Sequence, residues 1–134
     1  MFFRVAFVTV ALTGALSAAA PGGVAGADPG EPVTCDFTLS EPAVVDVSGV
    51  PMVGATVSPA GCTGTAKPTS SQVCLTTPGS AGRCAELPGY NDAHVYLSPY
   101  QPGVTYTATG RGCAAQTSPP VPMCVTLGPK SATP

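Results

Sequence analysis

Histidine occurs once in this chain and tryptophan never, and charged side chains make up only 9% of its 134 residues. One imidazole leaves little scope for acid–base chemistry, since a Ser-His-Asp arrangement would have to recruit His94. No Gly-x-Ser-x-Gly elbow accompanies it, and Gly79-Ser80-Ala81-Gly82 reads as a turn. The acids stand singly, mostly near turn residues, which argues against the paired carboxylates of glycoside hydrolysis. Gly110-Arg111-Gly112 lacks the third glycine and the following helix of a dinucleotide loop, and reads as a strand bend. No Cys-x-x-Cys is present, so zinc and redox-pair chemistry are both poorly supported. The expectation is a protein that is not an enzyme, with no catalytic residue, no metal and no cofactor.

Cysteine is missing from the first 34 residues and then appears six times, as Cys35, Cys62, Cys74, Cys84, Cys113 and Cys124. The cysteine-free stretch has the anatomy of an export signal: one positive charge at Arg4, an apolar run from Val5 to Ala20, a Pro21-Gly22-Gly23 break and a small-x-small Ala25-Gly26-Ala27 site. Residues 1–27 are expected to be removed. The apolar run is too short to span a bilayer, so no membrane insertion is expected after processing. An even set of cysteines behind such a leader points to an oxidising compartment, secreted or in the cell envelope, where the thiols pair. Fifteen pairings are open to six cysteines. Stapling of neighbouring strands would give Cys35–Cys62, Cys74–Cys84 and Cys113–Cys124, the last two closing short hairpins.

Once Arg4 is removed, Lys67, Arg83, Arg111 and Lys130 face seven acids, a net charge of −3. Scattered, outnumbered cations offer no electrostatic footprint for nucleic acid or acidic lipid. Residues 28–134 suffice for one domain. Its prolines are spaced so that the only proline-free stretch beyond a dozen residues, 103–118, is rich in Thr and Gly, which are poor helix formers. That leaves strands, and period-two alternation supplies them. Val33, Cys35, Phe37 and Leu39 share one face. Val44–Val47 and Met52–Val57 flank the turn residues Ser48-Gly49-Val50-Pro51. Gln72–Thr76, Ala93–Leu97, Val104–Thr109 and Pro122–Leu127 continue the series. About seven short antiparallel strands with frequent turns indicate an all-β sandwich over 28–127, and Gly128–Pro134 reads as a flexible tail.

Leu97-Ser98-Pro99-Tyr100-Gln101-Pro102-Gly103-Val104-Thr105-Tyr106-Thr107-Ala108 resembles the corner between the fifth and sixth strands of fibronectin type III and related immunoglobulin-like domains. The resemblance implies an immunoglobulin-like sandwich in which Tyr106 is the corner tyrosine, its hydroxyl bonded to backbone near Pro102. The missing tryptophan and the surplus of cysteines depart from that pattern. Separately, the alanine-rich leader and the Asp28-Pro29 start resemble those of small exported actinobacterial proteins.

All four tyrosines, Tyr90, Tyr96, Tyr100 and Tyr106, fall within 17 residues. If Val95 points into the core, His94 and Tyr96 point out, and with Tyr90 and Tyr100 they would form an aromatic, partly polar edge. Tyrosine suits contact surfaces because it offers area at low rotamer cost with a hydroxyl to bond. The expected function is a non-enzymatic binding or adhesion module for a protein or a glycan. The alternatives are a structural accessory domain, or a protease inhibitor acting through a pinned loop such as Thr77–Cys84.

Overall fold

A computed structural model of the chain describes residues 33–117 and 120–134. The expected signal at 1–27 lies outside the described residues. Eight strands follow one another: β1 (Cys35–Leu39), β2 (Ala43–Val47), β3 (Val50–Cys62), β4 (Ala66–Thr76), β5 (Arg83–Pro88), β6 (Ala93–Leu97), β7 (Tyr106–Thr117) and β8 (Pro120–Ala132). They form two antiparallel sheets, one of β1, β2, β3 and β6 and one in the order β5-β4-β7-β8. Among the described residues no helix is long and apolar enough to cross a membrane.

In the first sheet β1 and β2 lie end to end along one side of β3, pairing with its second and first halves, and β6 takes the other side. The β2–β3 connection is a two-residue turn at Ser48-Gly49, with φ of 54° and 84°, and Val50 and Pro51, expected as part of the turn, already belong to β3. Positive φ at both positions matches the right-handed twist of the flanking strands. The Gly49 N–H donates to Asp46 Oδ1 at 2.7 Å and fixes the turn.

The core is the space between the sheets. Phe37, Leu39, Val53, Ala55, Val57, Ala93 and Val95 face it from the first sheet, and Val73, Leu75, Tyr106, Ala108 and Ala114 from the second; all are under 9% exposed. Two glycines of β7 let the layers approach. A Cβ at Gly112 would fall within the Phe37 ring, and one at Gly110 would stand 2.6 Å from Val57 Cγ2. Gly110-Arg111-Gly112 is therefore more than a bend. The irregularity sits just upstream, where the β7–β8 register shifts between Ala108 and Gly110, and the glycines clear space for side chains from the opposite sheet.

All six cysteines are oxidised, as Cys35–Cys62, Cys74–Cys84 and Cys113–Cys124. Each bridge joins residues directly opposite one another in a ladder, so every staple lies within a sheet. None crosses between the layers.

Two sequence expectations need correction. The strands are not uniformly short: β3, β4, β7 and β8 run for 13, 11, 12 and 13 residues. The long strands contain prolines, tolerated at irregularities and edges. Pro59 stands opposite Phe37 at one register shift and Pro68 beside another, while Pro122 and Pro129 lie on the edge strand β8. The tail expected from Gly128 is also largely strand. Ser131 and Lys130 pair with Thr107 and Ala108, Lys130 Nζ donates to the Leu39 carbonyl at 2.8 Å, and the Tyr100 hydroxyl donates to the Pro134 carbonyl at 2.6 Å.

Candidate functional site

Among the described residues β6 is an edge strand whose only ladder partner is β3, and its residues alternate strictly. Ala93 and Val95 are buried, and His94 and Tyr96 are exposed on the outer face. Their rings are parallel to within 8°, with centroids 6.4 Å apart. Each is positioned by the β3 residue opposite. Thr56 Oγ1 and His94 Nδ1 lie 2.9 Å apart in a hydrogen bond, which leaves Nε2 as the uncommitted ring nitrogen. Tyr96 lies across from Gly54, where a Cβ would stand 3.0 Å from Tyr96 Cδ1 and 3.3 Å from Val45 Cγ2. The missing side chain at residue 54 seats the tyrosine ring against the sheet.

Beside this pair runs an open groove of about 350 Å³ lined by Val47, Met52, Arg83, Cys84, Ala85, His94, Val95, Tyr96 and Ser98. Two of the three tyrosines expected at the aromatic edge, Tyr90 and Tyr100, are not brought to it. Tyr90, 68% exposed in the β5–β6 turn, borders a different groove of about 420 Å³ with Pro59, Gly61, Ala66 and Pro68. Tyr100 is half-buried against the core, with its hydroxyl committed to Pro134. Tyr106 is 2% exposed, and its hydroxyl accepts from the Gln101 N–H at 3.0 Å, the residue before Pro102.

The groove also holds residues that the sequence reading did not single out. Arg83 belongs to β5, a strand that went unread although Ala85 and Leu87 alternate with Cys84 and Glu86; a bridge from Cys84 to Cys74 was the available signal. Met52 and Val47 reach the groove because the β2–β3 hairpin places them on one face, a long-range consequence of register. Among the described residues no three His, Cys, Asp or Glu side chains are gathered so as to hold a metal ion.

Searches of protein-family models, curated proteins and solved structures find nothing that matches this chain. The fold and the groove are thus the whole basis for a functional reading.

Proposed function

We propose that this chain is a secreted or envelope-associated binding module, non-enzymatic, whose ligand occupies the groove beside β6. The observation that carries the reading is the juxtaposition of an exposed aromatic pair, His94 and Tyr96, with a concavity that also offers apolar walls and an arginine. Concave sites with apolar walls and a few convergent polar groups are the common form of small-ligand sites. Export is supported by the signal-like leader and by three bridges in a small domain. An immunoglobulin-like arrangement is supported by the corner bond from Gln101 to Tyr106 and by a chain that passes between sheets at β3–β4, β5–β6 and β6–β7.

Array binding of the oxidised protein to immobilised glycans and peptides tests the reading. Tyr96→Ala should lose the signal that Tyr90→Ala, outside the groove, keeps. Equal binding by both variants would remove the groove from the function. A second reading, protease inhibition, is favoured by the exposed β4–β5 loop pinned by Cys74–Cys84, with Ser80 N–H donating to the Thr77 carbonyl at 3.0 Å. A serine- and cysteine-protease panel without inhibition would discard it.

A further inference from the structure

We infer that the groove beside β6 selects a carboxylate-bearing sugar, an acidic glycan of the uronic-acid class, with Arg83 as the carboxylate receptor and Tyr96 as the surface on which the sugar ring rests. The inference rests on the reading of this groove as the ligand site and adds the chemistry of the ligand.

The first observation is charge. The four cations of the described chain are Lys67, Arg83, Arg111 and Lys130, set against an excess of acids. Arg111 is held against Cys124 Sγ at 3.4 Å, and Lys130 is bonded to the Leu39 carbonyl. The side chains of Lys67 and Arg83 have neither a hydrogen bond nor an ion pair among the described residues, and of the two only Arg83 lines the groove, where it is the one charged wall; no carboxylate lines it. In an anionic molecule this is a local inversion of sign. An unpaired guanidinium presents a planar fork of donors that matches a carboxylate in two parallel bonds.

The second is the rest of the lining. Tyr96 is braced against the sheet at Gly54, so it presents ring surface to the groove without having to be ordered on binding. An electron-rich ring face attracts the polarised C–H groups of a sugar through the same quadrupole that attracts cations. His94, its Nδ1 already engaged by Thr56, keeps Nε2 for a hydroxyl, and Ser98 adds a second neutral polar group. A cationic fork, an aromatic platform and uncharged hydroxyl partners fit one or two acidic sugar rings.

The test is titration calorimetry on the oxidised exported chain with three probes: a tetragalacturonate, its fully methyl-esterified form, and a tetraglutamate peptide. The galacturonate should bind, and its affinity should fall about tenfold on esterification. Arg83→Gln should produce a comparable loss with the free acid and no change with the ester, and Tyr96→Ala should weaken both. Arg83 lies on an exposed edge strand, so Arg83→Gln should keep the native melting temperature. No binding of galacturonate, equal binding of acid and ester, or preference for tetraglutamate would each overturn the inference. If the ester or the peptide binds in a Tyr96-dependent way, the groove remains a ligand site and only the acidic-sugar assignment falls.

Discussion

Replacing Gly112 by alanine tests the packing that joins the two sheets. The backbone there is ordinary strand, and alanine would restrict the unfolded chain, a stabilisation of about 0.4–1 kcal/mol taken alone. The native site opposes it, because the added Cβ would fall within the Phe37 ring, between two layers that cannot separate without opening the core. Overpacking of this kind costs ~1–3 kcal/mol. The steric term wins, and a net loss of about 1–2 kcal/mol is expected, or roughly 5–15 °C in melting temperature for a domain of this size. Thermal and urea unfolding under oxidising conditions measure it. The control is the cycle with Phe37→Leu, whose smaller side chain leaves room for the methyl. Gly112→Ala should cost much less in that background, with a coupling of about 1 kcal/mol. A tolerated Gly112→Ala, or an equal cost in both backgrounds, would refute the claim that residue 112 is glycine because of the ring above it.

Truncation after Gly128 should destabilise the domain by about 2–4 kcal/mol, since it removes the Lys130–Leu39, Tyr100–Pro134 and Thr107–Ser131 bonds at about 0.5–1.5 kcal/mol each; an unchanged urea midpoint would restore the flexible tail. Tyr106→Phe should cost about 1–2 kcal/mol because the Gln101 N–H loses its acceptor, read from the same transition. Ser71→Ala should be neutral or stabilise by up to about 1 kcal/mol, because the buried Ser71 hydroxyl has no partner among the described residues; a clear loss of stability would mean that the hydroxyl is satisfied. Of the three bridges, Cys35–Cys62 closes the longest loop, with a sequence separation of 27 against 10 and 11. On the chain-entropy account its removal should cost about 1 kcal/mol more than removal of either other bridge, which calorimetry of the paired Cys→Ala variants would show.

The parts of this fold legible in the sequence are those written in local alternation. Cys35, Phe37 and Leu39 bury one face of β1 because successive side chains point to opposite sides, and the same rule put Val95 inside and His94 and Tyr96 outside. The turn after β2 was legible within residues 48–51, since few residue pairs accept its backbone, but nothing local to Val50 and Pro51 shows that they pair with Val47 and Asp46. What stayed hidden depended on distant partners. Proline is locally a terminator, yet Pro59 and Pro68 sit within long strands because register shifts absorb the missing donor, and those shifts exist only once the strands pair. Lys130 and Ser131 look like a polar tail, and only the neighbouring β7 and the Leu39 carbonyl turn them into structure. Half of the aromatic edge dispersed for the same cause: closeness in sequence brought His94 and Tyr96 together on one strand, while Tyr90 and Tyr100 lie beyond its ends.

The position of the bridges bears on how stability and recognition are divided. Since each disulfide lies within one sheet, the layers are held to one another by apolar contact and by such bonds as that from Lys130 to the Leu39 carbonyl, and the bridges act on strand register. This matters most at β5, which is six residues long, exposed over nearly its whole length and paired only to β4. A strand with so little burial would fray, because few contacts oppose its conformational entropy. Cys84 ties it to Cys74 at the position next to Arg83, so the residue that gives the groove its sign stands beside a covalent anchor. On the opposite wall, Tyr96 and His94 are set by hydrogen bonding and close approach to β3, the central strand of its sheet. The groove is thus framed by one wall stiffened by sulfur and one stiffened by packing. That arrangement lets an exposed edge keep a fixed geometry, as the proposed binding would require.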